Sequence, residues 1–228
     1  SIQKLLIIWP DGKSQTLKGV NVNQQITLNY DDATNRDIQD EENEKKLFNS
    51  TDIIDIPFRH VENEFDDFER ETLLPHKFSQ NGPALAIGDV NNDGLDDFYI
   101  GGAKNQASVL LLQQEDGRFN PMLQPIWNID KIHEDVAADF FDADGDGDLD
   151  LYVVSGGNEE EEQNIYYRDR FYMNTGKGVF VRVLHAIPEN NISGSCVTAA
   201  DFDNDGDKDL FVGGKMIPGK YPLPASSI

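Results

Sequence analysis

Three stretches of this chain set oxygen-bearing side chains at alternate positions ahead of a glycine. The first holds Asp89, Asn91, Asp93, Gly94, Leu95 and Asp97. The second holds Asp142, Asp144, Asp146, Gly147, Asp148 and Asp150. The third holds Asp201, Asp203, Asp205, Gly206, Asp207 and Asp209. All three read D-x-[DN]-x-D-G-x-x-D. Short side chains at positions 1, 3 and 5 converge only where the backbone wraps tightly, and glycine at position 6 permits that bend. Position 7 is expected to offer its carbonyl, so Leu95, Asp148 and Asp207 can differ in side chain. Position 9 returns a carboxylate to close the shell. Six or seven hard oxygens at about 2.3–2.6 Å suit Ca²⁺ better than a transition metal. About three Ca²⁺ sites are therefore expected, with the cations neutralising carboxylates that otherwise repel one another. Acidic surface turns without metal are the plain alternative, and three recurrences in matching contexts weigh against it.

An EF-hand loop begins in the same way but requires Glu at position 12 and flanking helices. Position 12 here is Ile100, Val153 and Val212, within DFYIGG, DLYVVSGG and DLFVGG. These are strand sequences, so each loop is expected to join two strands as a metal-clamped hairpin. The repeats start 53 and 59 residues apart, close to the period of propeller blades. Between them lie SVLLLQQEDGRF and RFYMNTGKGVFVRVL, with hairpin turns at Glu115-Asp116-Gly117 and Asn174-Thr175-Gly176. Each unit thus supplies about four short strands. The fold class expected is all-β, a partial β-propeller of four-stranded blades with Ca²⁺-binding hairpin loops. Two blades are whole and a third is truncated. The Ala and Gly residues ahead of each loop suit the narrow inner part of such a ring.

Upstream, Leu5–Trp9 reads as a strand and Pro10-Asp11-Gly12 as a turn, with imperfect alternation continuing through Val20, Val22, Ile26 and Leu28. Three regions follow: a β domain end over 1–30, an acidic linker and packing segment over 31–82, and blades over 83–228. Within the second, Phe58, Val61, Phe65 and Phe68 fit either a short amphipathic helix or an extended segment packing aromatics. Both ends look like interior sequence, so the chain is expected to be a fragment of a longer protein.

Composition narrows the function classes. The 228 residues carry 42 acids against 19 bases, a net charge of −23. Nucleic acid and anionic membrane surfaces are disfavoured partners, since neither meets a basic patch. No run of residues is long and apolar enough for a membrane span. The lone Cys196 allows no intrachain disulfide, has no evident base beside it, and is expected at the start of a buried strand. His185 is expected in the core of an apolar strand.

The acidic motifs, with flanking A-x-x-D and F/L-x-V/I-G-G over about 83–215, resemble the FG-GAP/VCBS repeats of integrin-α-like β-propellers. LLIIWPDGKSQTLKGVNVNQQITL is similar to the end of an ASPIC/UnbV-type domain, which accompanies such repeats in secreted or surface proteins. The resemblance implies extracellular Ca²⁺-binding blades, at the cell surface or in the outer membrane or periplasm. It carries metal-ligand roles onto the loop residues above and implies no catalytic residue.

The function expected is a non-enzymatic Ca²⁺-binding module whose other loops meet a glycan or protein ligand. A glycan-processing enzyme and a structural spacer are the alternatives. For an enzyme, Glu62, Glu64, Asp66 and Asp67, near His60 and His76, are the candidates. They read more readily as a solvated face with packing histidines. His133-Glu134 lacks the second His of a zinc-protease motif. Trp127, Tyr166, Tyr167 and Tyr172 offer a sugar-stacking platform, or simply core packing.

Overall fold

The computed structural model describes residues 2–34 and 56–228. It divides into two units, Ser1–Thr51 and Asp52–Ile228.

In the first unit, β1 (Ile2–Ile8) and β2 (Ser14–Val20) form an antiparallel hairpin with Leu5 opposite Leu17. Gly12, at φ +85°, closes its turn by donating to Trp9 O at 2.9 Å. Asp11 and Lys13 meet the Tyr30 hydroxyl, which ties the following segment to the turn. The alternation expected through Val22, Ile26 and Leu28 is not a strand. Pairing ends at Val20, and among the described residues these find no partner strand to bury against. Most of the acidic linker lies outside the described residues.

The second unit opens with segment 56–82. It is largely extended, with one helical turn α1 (Asp67–Arg70), capped by Asp66 Oδ1 accepting Phe68 N at 3.0 Å, and a following turn in which Leu74 N donates to Glu71 O at 3.3 Å. Of the two readings of this segment, packing in extended form prevails. Phe58 lies against Val109, Leu111 and Phe119, while Leu74 and Phe78 pack on Met216. The helical spacing fails because Val61 and Phe68 are exposed, so no continuous apolar face exists for a helix to bury.

Two four-stranded antiparallel meanders follow. The first comprises β3 (Leu85–Gly88), β4 (Asp97–Ile100), β5 (Val109–Gln113) and β6 (Phe119–Met122). Helix α2 (Pro125–Asp130) leads to the second, made of β7 (Asp135–Phe141), β8 (Asp150–Ser155), β9 (Arg170–Asn174) and β10 (Phe180–Arg182). A hairpin of β11 (Ser193–Ala200) and β12 (Asp209–Met216) completes the order. Beyond it, Val212 exchanges two backbone hydrogen bonds with Ile228. The leading strand of each sheet, β3, β7 and β11, runs beside that of the next. Among the described residues the sheets do not close into a ring.

Each junction between successive sheets has its own core. Ala86, Val90, Tyr99 and Leu110 of the first sheet meet Leu151, Val153, Tyr172 and Phe180 of the second around Trp127. Val136, Tyr152, Val154 and Phe171 meet Val212 at the next junction. Trp127, Tyr167 and Tyr172 are therefore buried packing residues, while Tyr166 is half-buried. No sugar platform forms from them. The first junction also holds an ion pair. Arg170 donates to Asp135 Oδ1 at 2.5 Å, and the other oxygen accepts from Tyr99 Oη at 2.8 Å and Ser108 Oγ at 2.5 Å.

Two single-residue expectations are corrected. Cys196 is in strand β11 but exposed, because alternation turns it away from the core. His185 is on an exposed turn after β10 at φ +66°, so the apolar run around it ends one turn earlier than expected.

Candidate metal-binding loops

Each acidic loop joins the first two strands of its sheet, β3 to β4, β7 to β8 and β11 to β12. Backbone N–H groups fold it in the same way each time. The position-1 carboxylate accepts from the position-6 glycine, at 2.7 Å for Asp89, 3.0 Å for Asp142 and 3.2 Å for Asp201. Position 3 accepts from the N–H of position 5, at 2.9, 3.2 and 3.2 Å for Asn91, Asp144 and Asp203. Position 5 accepts from the N–H of position 7, at 2.9, 2.9 and 3.0 Å for Asp93, Asp146 and Asp205. These nested turns hold the chain around its own carboxylates.

The wrap needs two left-handed residues, and the motif as read names one. Gly94, Gly147 and Gly206 at position 6 have φ of +87°, +92° and +102°. Position 4 is left-handed as well: Asn92 at +61°, Gly145 at +78° and Asn204 at +61°. Asn and Gly are the residues that tolerate this conformation. The signal was present in the sequence as Asn, Gly and Asn at a position written x.

Position 9 has a second task. Asp97 Oδ2 accepts from Val90 N at 3.1 Å and its Oδ1 from Gln113 N, on the third strand, at 2.8 Å. Asp150 repeats this with Ala143 N at 3.1 Å and Asn174 N at 2.8 Å. Both carboxylates are buried. Burial raises the pKa of each, backbone donors pull it back, and the loop's own acids raise it further. Asp209 accepts only from Phe202 N, at 2.9 Å, and is exposed, there being no third strand beside β12 among the described residues.

Acidic oxygens converge in two of the loops. Those of Asp142, Asp144 and Asp146 lie within 4.8 Å of one another, as do those of Asp201, Asp203 and Asp209. That spread matches oxygens on opposite sides of a cation bound at about 2.3–2.6 Å. In the first loop the Asn91 amide meets Asp93 Oδ2 at 2.9 Å. Asp148 departs from the set: its side chain accepts from Asn92 of the neighbouring loop at 2.6 Å. Asp205 stays outside the third triplet and Asp207 is exposed. Leu95 is half-buried, and only its carbonyl is available as a ligand. The donors are all hard oxygens, so the residues present fit Ca²⁺.

A model of the FG-GAP-like repeat matches residues 76–153 and again 154–212. The chain belongs to the FG-GAP-like repeat family. A model described as ASPIC and UnbV matches residues 1–35. No curated protein matches the chain. The two matched FG-GAP-like spans contain all three loops, and the second span includes β11 and the start of β12.

The other carboxylate candidates separate. Asp66 caps α1. Asp67 is fully buried and accepts from Phe78 N, Ser79 N, Ser79 Oγ and Asn158 Nδ2. Glu64 is exposed. His76 packs against Phe78 at 4.6 Å between ring centroids, with the rings tilted by 58°. Glu62 Oε1 and His60 Nε2 do meet, at 3.0 Å.

One inter-sheet residue escaped sequence reasoning. Asn174 Nδ2 donates to Val90 O at 2.8 Å and Leu149 O at 3.1 Å, bridging the first two loops from a buried position.

Proposed function

We propose that this chain is a non-enzymatic, extracellular Ca²⁺-binding module. Its successive sheets act as blades of a propeller. Ca²⁺ in the three hairpin loops is structural, with ligands from positions 1, 3, 5 and 9 and the position-7 carbonyl. The observation that carries the reading is the repeated backbone wrap around acidic side chains, none of which forms a salt bridge among the described residues, although Lys208 lies within the third loop. Acids held together in this way repel unless a cation joins them. On this reading the exposed surface away from the loops meets a glycan or protein ligand at the cell surface.

The test is thermal unfolding in EDTA and in Ca²⁺, with elemental analysis of the purified chain. Extracellular modules bind Ca²⁺ with Kd on the order of 10⁻⁴–10⁻³ M. At a free ion concentration about tenfold above Kd, each site adds about 1.4 kcal/mol. Three equal sites add about 4 kcal/mol, and EDTA removes it. An unchanged melt together with absence of bound metal refutes the reading.

A further inference from the structure

We propose a second kind of cation site, formed by Glu134 and Glu159 with Asn63, at the entrance to the second sheet and away from the aspartate loops. Glu134 lies just ahead of β7 and is 2% exposed, yet neither of its oxygens has a hydrogen-bond partner. Its carbonyl accepts from Gly156 N at 3.0 Å, which brings segment 156–159 alongside. Glu159 then faces Glu134 across Gly157. A Cβ on Gly157 would collide with Glu159 Oε2 and lie 3.4 Å from Glu134 Oε2. The left-handed glycine, at φ +101°, therefore keeps open a gap bounded by both carboxylates.

The nearby cationic side chains are engaged elsewhere. Arg170 pairs with Asp135, and Lys104 with Glu160. Arg70 donates to Asn158 O and Glu160 O and pairs with Glu161. His60 faces Gly101 O and Glu62. Glu159 receives only neutral donors, Asn63 Nδ2 at 3.2 Å and Asn158 N at 2.9 Å. A buried carboxylate without a donor is strongly disfavoured, and a second one opposite makes it worse.

A hard dication resolves both problems. Glu134 and Glu159 supply one oxygen each, and Asn63, whose Oδ1 is also buried without a partner, supplies a third. Glu62 stands one step further out and adds charge. All-oxygen donors select Ca²⁺ over softer metals, and the depth of Glu134 favours a bare ion over an ammonium on a partner's side chain. Glu62 and Asn63 also border an open cleft with Phe65, Asp66 and Lys77, whose Nζ faces Phe65 O at 3.5 Å.

The experiment counts bound Ca²⁺ on the full chain by equilibrium dialysis and elemental analysis. Wild type is compared with Glu134→Gln/Glu159→Gln, with Asn63→Ala, and with the loop variant Asp89→Asn/Asp142→Asn/Asp201→Asn. The double variant is expected to hold one ion fewer than wild type. Asn63→Ala is expected to weaken one class of site about tenfold. The loop variant is expected to keep one ion, which separates failure here from failure of the loop reading. Should the double variant misfold by circular dichroism, Asn63→Ala decides. An unchanged count in a folded double variant, or unchanged affinities in Asn63→Ala, overturns the proposal and leaves the pair neutralised by a shared proton.

Discussion

Asp169 provides a test of how the second sheet tolerates charge. Its carboxyl is 3% exposed, with Oδ2 accepting from Tyr152 Oη at 3.0 Å and Oδ1 from Ser155 N at 2.9 Å. Burial lifts its pKa from 3.8 to about 6, against the pull of those two donors and of Arg170. The folded state therefore takes up this proton at higher pH than the unfolded chain. As pH falls from about 6 to about 4, folding gains stability from this group. The gain over that range is about 2 kcal/mol at roughly 1.4 kcal/mol per tenfold change, it approaches about 3 kcal/mol only well below the unfolded value of 3.8, and it is nearly absent at pH 7. Asp169→Asn keeps the shape and removes the titration: an amide oxygen can accept from Ser155 N while the amide nitrogen donates to Tyr152 Oη. Urea unfolding of both proteins, followed by tryptophan fluorescence in constant excess Ca²⁺ at pH 7, 6, 5 and 4, isolates the effect, because every other titrating group is common to both. Wild-type stability minus variant stability should rise by about 2.4 kcal/mol between pH 7 and pH 4. At pH 7 the variant should be at least as stable as wild type. Parallel stability curves would refute the reasoning, showing that the two hydrogen bonds and Arg170 already offset the loss of water around the carboxylate.

Two further substitutions probe the junction between the first two sheets. Arg170→Leu leaves Asp135 buried and without its cation, and should cost about 3–5 kcal/mol in urea unfolding; a loss below about 1 kcal/mol would show that Tyr99 and Ser108 suffice to hold the charge. Asn174→Ala strips the amide from Val90 O and Leu149 O and should cost about 2 kcal/mol. It should also weaken Ca²⁺ binding, because both loops lose a common brace; a stability loss with unchanged Ca²⁺ affinity would confine Asn174 to packing.

What the sequence disclosed depended on how far apart the interacting residues lie. The loops were legible because ligand spacing, bend and flanking strands all fall within about twelve residues and recur three times. Strand content was legible for the same local reason, as in the DFYI and DLYVVS runs after each loop. The double duty of Asp97 and Asp150 was not, because the second partner of each lies on a strand 16 and 24 residues further on. Whether such a carboxylate is buried is decided by that third strand: Asp209 has the same motif position and no such strand among the described residues, and it is exposed. Segment 56–82 admitted both a helix and an extended reading, because its 3–4 spacing is what a helix would show while its apolar residues pack on different sheets. Glu134 was set aside for want of a second histidine, since no local pattern reveals that a left-handed glycine 23 residues later brings Glu159 opposite it. Motif position thus fixes what each loop residue can ligate, and strand neighbours distant in sequence fix which carboxylates are deprived of water. A carboxylate deprived of both water and donors is where a cation or a proton must follow.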